Sequence, residues 1–148
     1  MKRTLITLYF IILIQLSFGQ TTISISGKVI DESFLEMPGV LIFADGKELA
    51  TTELNGKFQT EIEKTISEIE FRYVGMETLK VKLKDGCNNL ELLLLNEAVC
   101  YLGASLKKVN RIRKRKFDSR IELHKIAYQN GIFLSEYFCG EPQFKPYE

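Results

Sequence analysis

Glu36-Met37-Pro38-Gly39-Val40-Leu41-Ile42-Phe43-Ala44-Asp45-Gly46 runs directly into Lys47-Glu48-Leu49-Ala50-Thr51-Thr52-Glu53-Leu54-Asn55-Gly56-Lys57-Phe58. Pro38-Gly39 is a turn signal, and Asp45-Gly46 and Asn55-Gly56 are dipeptides of the kind that closes two-residue hairpins. Between them lie apolar runs too short for helices. Val40–Ala44 is apolar on both faces, as a central strand would be. The spacing predicts antiparallel β-structure, with Leu49–Glu53 and Phe58–Ile62 pairing around Asn55-Gly56.

Working outward, the period of two persists. Ile23 and Ile25 alternate with Ser24 and Ser26 in Thr22–Ile30, and Ile69, Phe71 and Tyr73 alternate with Glu70 and Arg72. Leu79, Val81 and Leu83 alternate with three lysines, Asp85-Gly86 turns the chain, and Leu90–Leu95 closes the set. Alternation of this kind means strands with one buried face. Seven short strands with turn residues between them predict a β-sandwich of immunoglobulin-like or transthyretin-like layout.

Gly27-Lys28-Val29-Ile30-Asp31, Met37-Pro38-Gly39-Val40, Gly46, Thr52-Glu53-Leu54-Asn55-Gly56-Lys57-Phe58 and Phe71-Arg72-Tyr73-Val74-Gly75-Met76 occur in this order. Together they resemble the carboxypeptidase regulatory-like domain, a module also similar to the N-terminal extension of TonB-dependent outer-membrane receptors. The resemblance covers about Thr22 to Asn96. It implies a mainly β fold, a seven-stranded Greek-key sandwich of the prealbumin type, here with a C-terminal helical extension, and a non-catalytic role. Gly27, Pro38, Gly39, Gly56, Phe58, Tyr73 and Gly75 are the expected turn and core determinants: Gly39 and Gly56 suit positive φ, and Phe58 and Tyr73 suit a small core. Ser33-Phe34, Glu53 and Met76 depart from the family pattern, which puts the first loop and the Glu53 turn in doubt but not the strands. No peptidase or receptor barrel follows in the 148 residues, so the sandwich is expected to act alone or with its tail.

At the other end, Lys2 and Arg3 precede an apolar run from Leu5 to Leu16, and Ser17-Phe18-Gly19 supplies small residues before Gln20. This is the pattern of a cleaved signal peptide over residues 1–19. The run falls short of the roughly 20 residues that span a bilayer. Export to the periplasm or to the outer-membrane or extracellular face is the expectation. Export permits disulfides, yet Cys87, Cys100 and Cys139 are odd in number, so at most one internal pair can form. A Cys100–Cys139 pair would staple the tail to the body, while three small buried thiols are the plain alternative.

The domain boundaries read 1–19 signal, 20–97 sandwich and 98–148 extension. Net charge is +1, unevenly placed. Gln20–Cys100 carries eight basic against fourteen acidic residues, a net of −6, and Tyr101–Lys125 carries nine against two, a net of +7. Leu106, Val109, Phe117, Ile121 and Tyr128 recur at helical steps, predicting helices over Leu106–Lys116 and Arg120–Gln129. Ser119-Arg120-Ile121-Glu122 has capping-box spacing and Asn130-Gly131 is a stop. Lys107, Lys108, Arg111, Arg113, Lys114, Arg115 and Lys116 form the basic core of this extension. They read either as a solvated face partly neutralised by the acidic body or as a contact for anionic headgroups. Nucleic acid is set aside, since export removes the target and no aromatic platform interleaves the charges.

Chemistry is sparse. His124 is the sole histidine and no Cys-x-x-Cys spacing occurs, so no metal or cofactor is expected. The sharpest enzyme hypothesis is a thiol nucleophile at Cys139 or Cys100 with His124 as base; it lacks an orienting acid and an oxyanion turn. Glu61/Glu63 and Glu68/Glu70 sit at strand spacing, on the solvent face. The sequence reads as a non-enzymatic binding or scaffolding module whose edge strands can receive an envelope protein, peptide or glycan, with self-association through the charge split.

Overall fold

Thr22–Asp31 (β1) is the axis of the first sheet. Lys57–Glu63 (β4) lies antiparallel on one side of it and Asn89–Leu94 (β7) parallel on the other, giving the order β4-β1-β7. Gly27 stands opposite both Phe58 and Leu90, and a Cβ there would come within 2.0 Å of the Leu90 carbonyl oxygen and 2.7 Å of the Phe58 ring. The computed structural model describes residues 22–97 and 104–148; the expected signal segment and Cys100 lie outside them.

The second sheet has five strands, with Leu41–Ala44 (β2), Lys47–Thr51 (β3), Glu68–Arg72 (β5), Leu79–Lys82 (β6) and Glu141–Gln143 (β8) in the order β3-β2-β5-β6-β8. Asp45 and Gly46 both have positive φ, 49° and 76°, so the β2–β3 hairpin closes on the turn that matches strand twist. The two sheets share one core. Ile25, Val29, Phe58, Ile62, Leu90, Leu92 and Leu94 meet Ile42, Ile69, Phe71, Leu79 and Val81, with Phe58 and Phe71 edge to face at 5.6 Å.

Two expectations are corrected. Asn55-Gly56 does not close a paired hairpin: β3 pairs with β2 and β4 pairs with β1, so this turn carries the chain from one sheet to the other. It is held locally, Gly56 N donating to the Glu53 carbonyl at 2.9 Å and Lys57 N to the Asn55 side chain at 2.9 Å. Thr52 braces the corner, its hydroxyl donating to the Met37 carbonyl at 2.6 Å and accepting from Val40 N at 2.9 Å. Tyr73 is not core. β5 ends at Arg72, a turn closed by Met76 N on the Tyr73 carbonyl follows, and the ring is 40% exposed where alternation no longer applies.

Leu106–Asp118 (α1) and Arg120–Gln129 (α2) follow. Ser119 does not form a capping box. It is itself helical, its N–H donates to the Arg115 carbonyl, and its hydroxyl donates to the Lys116 carbonyl at 2.7 Å. The donors at the start of α2 are served by the preceding turn, so no side-chain cap is needed. Gly131, at φ 70°, ends α2 with Gly131 N on the Tyr128 carbonyl and Ile132 N on the Ala127 carbonyl. Helix α2 and the segment after it cover the outer face of the three-stranded sheet, where Ile30, Leu93, Leu95, Ala127 and Phe133 form a second core.

Gly56 has φ 70°, and a Cβ there would sit 2.4 Å from the Val29 carbonyl oxygen, whereas Gly86, at φ 78°, faces open space. Gly86→Ala is expected to cost about 1–2 kcal/mol, the left-handed penalty alone. Gly56→Ala adds overpacking and should cost about 3 kcal/mol or more, read from urea unfolding midpoints at unchanged slope.

Candidate functional site

The inward face of the helical extension is not the apolar stripe that the sequence suggests. Val109, Arg113, Phe117, Arg120, His124 and Ala127 succeed one another at three- and four-residue steps and turn toward the body. Ile121, 70% exposed, and Leu106 and Tyr128 point to solvent. Three of the six inward positions are polar or charged, and each hydrogen-bonds to a partner remote in sequence.

Arg113 makes a two-point pair with Glu77, Nε donating to Oε1 at 2.8 Å and Nη2 to Oε2 at 2.6 Å. Its Nη1 donates to the Lys145 carbonyl at 3.0 Å, and its guanidinium stacks 3.5 Å from the centre of the Tyr147 ring. The Glu77 carboxylate holds the guanidinium above its ordinary pKa against the pull of burial. Asn110 grips the tail backbone at Tyr147 N and O, 2.8 and 2.9 Å away, and the Tyr147 hydroxyl donates to Glu97 at 3.1 Å. Helix α1, the turn before β6 and the C-terminal tail are thereby tied together.

Between them lies a cavity of about 510 Å³. Its walls are the outer side chains of β5 and β6, among them Glu70 and Lys80, then Phe117 and Arg120 from the helices, and Phe144 and Tyr147 from the tail. Lys80 bridges Glu68 at 2.9 Å and Glu70 at 3.7 Å, and Arg72 also holds Glu70, whose pKa falls below the usual carboxylate value chiefly through that bond. Phe117 and Phe144 pack edge to face at 5.4 Å. Arg120 is only 3% exposed; its Nε donates to the Leu93 carbonyl at 3.0 Å and its guanidinium lies 4.8 Å from the Phe117 ring centre. Desolvation pulls its pKa down to about 10, so it stays charged at neutral pH.

The seven basic residues expected at an anionic surface divide. Lys107, Lys108, Arg111, Lys114 and Arg115 are exposed, Lys114 pairing with Asp118 one turn on. Arg113 is committed to Glu77 as described, and Lys116 pairs with Glu32 at 3.1 Å and donates to the Asn96 carbonyl at 2.9 Å. These two leave the surface set because the acidic body recruits them.

Cys87 and Cys139 form a disulfide, with Cα atoms 5.4 Å apart. Cys139 is thus no free nucleophile here. The bond precedes Gly140, where a Cβ would come 2.4 Å from Val81, and then β8, which pairs along β6. His124 is 1% exposed between Phe133 and Phe138, at ring distances of 4.7 and 4.2 Å. Its Nε2 donates to the Ser135 carbonyl at 3.0 Å, which leaves the buried Nδ1 as an acceptor without a hydrogen-bond partner. The buried Glu91 carboxylate accepts from Leu134 N at 2.7 Å and Ser135 N at 2.9 Å. His124 and Glu91 clamp the tail, and neither lines the cavity. Among the described residues, no group of three His, Cys, Asp or Glu converges on a metal position, and no helix is long and apolar enough to cross a membrane.

No family model matches this chain, and no curated protein does.

Two outcomes are expected from unfolding measurements. Arg113→Ala removes the two-point partner of Glu77 in a half-buried site and should cost about 3 kcal/mol, while Arg115→Ala should change stability by less than about 0.5 kcal/mol. Burial holds the His124 pKa below its ordinary 6.5, against smaller opposing effects of Ser135 and Glu91. The unfolded chain therefore takes up a proton that the folded chain refuses. Stability is complete above pH 6.5 and declines as pH falls below it, by at most about 1.4 kcal/mol per pH unit. His124→Gln, which keeps a donor for Ser135, should remove that part of the slope.

Proposed function

We propose that the chain is an exported, non-catalytic binding module of the bacterial cell envelope, a Greek-key prealbumin-type sandwich of the carboxypeptidase regulatory-like kind. The observation that carries this reading is the cavity: about 510 Å³, walled by sheet, helix and tail. Its volume lies in the range of small-ligand sites. Its walls carry charged and aromatic groups. The Cys87–Cys139 bond supports an oxidising compartment. Gly27, Gly39, Gly56 and Gly75, on which the family resemblance leans, sit where a Cβ has no room or where φ is positive. The exposed stripe Lys107, Lys108, Arg111, Lys114 and Arg115 lines no part of the cavity, so contact with anionic headgroups and ligand binding would not compete.

Expression of the full chain in a Gram-negative host tests this. The expected product lies in the envelope fractions, begins at Gln20, and offers one alkylatable thiol, Cys100, when unfolded without reductant. A product that keeps residues 1–19, stays in the cytosol and offers three thiols overturns the reading.

A further inference from the structure

The last residues of the chain lie on the body as an extended peptide lies on a receptor. Glu141–Gln143 adds a strand to the edge of β6, with Glu141, Pro142 and Gln143 opposite Lys82, Val81 and Lys80. Beyond it the main chain is gripped. Asn110 accepts from Tyr147 N at 2.8 Å and donates to the Tyr147 carbonyl at 2.9 Å, and Arg113 donates to the Lys145 carbonyl at 3.0 Å. The Tyr147 ring stacks on the Arg113 guanidinium, and Phe144 packs on Phe117. Strand addition for affinity, with side-chain contacts for specificity, is a recurring mode of peptide recognition.

The fit of this segment is incomplete. Packed protein leaves few voids larger than a water molecule, yet about 510 Å³ stays open between the tail, the helices and the outer side of β5 and β6. Gln143 stands opposite Lys80, so the two side chains share a face, and both line that space. β8 is also a weak ladder, three residues long with a proline at its centre. The Cys87–Cys139 bond precedes Gly140, so the segment beyond can leave while the disulfide holds the rest. We propose that the groove between α1 and the β5–β6 face is an acceptor site for an extended segment of a partner protein, and that the chain's own tail occupies it in cis. The tethered tail competes at an effective concentration on the order of millimolar, so only a segment that gains contact displaces it. That segment follows the tail's backbone path and sets a large aromatic side chain where Gln143 stands, filling the open volume. A second copy of this chain brings the same tail and gains nothing over the cis arrangement. The inference deepens the binding-module reading and rests on it; its test uses purified protein, so its failure is distinct from a failure of export and cleavage.

The experiment is an NMR titration of the purified, oxidised, isotope-labelled full chain with unlabelled peptides capped at both ends. One copies residues 140–148, Gly-Glu-Pro-Gln-Phe-Lys-Pro-Tyr-Glu; a second has tryptophan in place of the glutamine; a third has that tryptophan and alanine in place of the tyrosine. With the tryptophan peptide the Lys145 and Tyr147 amide signals are expected to move to free-chain positions, while the Asn110 side-chain amide keeps its bonded position because the incoming backbone takes it over. The tryptophan peptide should bind about tenfold or more tighter than the copy, and loss of its tyrosine should weaken it by a similar factor. Tyr147→Ala in the full chain weakens only the cis competitor, so it should tighten the tryptophan peptide about tenfold, and Arg115→Met should leave binding unchanged. Should Tyr147→Ala fail to fold, the three peptides on the parent protein decide. No saturable response to the tryptophan peptide, a response that leaves the Lys145 and Tyr147 signals in place, or equal binding of the first two peptides each overturns the proposal. A concentration-dependent dimer of the parent protein, dispersed by the tryptophan peptide in sedimentation, makes a second copy the occupant and overturns it as well.

Discussion

A strand that is apolar on both faces cannot lie at a surface, and β7 is such a strand. Leu90, Leu92 and Leu94 enter the core between the sheets, while Leu93, with Leu95 just beyond the strand, points the other way into a second core. Fully burying a leucine side chain is worth about 1.5–3 kcal/mol, so leaving the outer pair in water would forfeit several. The sandwich cannot cover that outer face with its own strands. Helix α2 and the segment around Phe133 do so, and the C-terminal third of the chain is thereby drawn onto the body.

Everything downstream of α2 follows from that docking. Glu91, on the same outer face of β7, takes the Leu134 and Ser135 amides, and His124 takes the Ser135 carbonyl, so the tail leaves the helix in one direction. The disulfide then fixes it beside β6, and Glu141–Gln143 fills an edge that would otherwise present unpaired backbone groups. The last residues cross the outer face of β5 and β6 and become the cavity wall. The cavity is a consequence of where the tail is held, not a groove in the sandwich itself.

The charge split between body and extension has a structural use. Arg113 and Lys116 reach acidic groups of the body, and Arg120 is carried inward beside them on the same face. Each inward cation is desolvated, so partner geometry decides its cost: Arg113 has a two-point carboxylate and a ring, whereas Arg120 has a carbonyl, a ring and the more distant field of Glu77.

Local chemistry was legible in the residues. Alternation, short apolar runs and turn residues together placed all seven body strands, Asp45-Gly46 and Asn130-Gly131 marked real reversals, and both helices fell within two residues of their expected ends. These features depend on neighbours a few positions away: side-chain period, and glycine where φ is positive. Tyr73 misled because alternation holds only while the strand lasts. The partner of β4, the eighth strand, the Cys87–Cys139 pair and the inward helix face with Arg113, Arg120 and His124 were set by tertiary structure alone. Those polar residues look like surface until Glu77, Leu93 and Ser135 are brought beside them, 36, 27 and 11 positions away. Burial of a charge is a property of the partner that answers it, and a linear sequence names the charge without naming the partner.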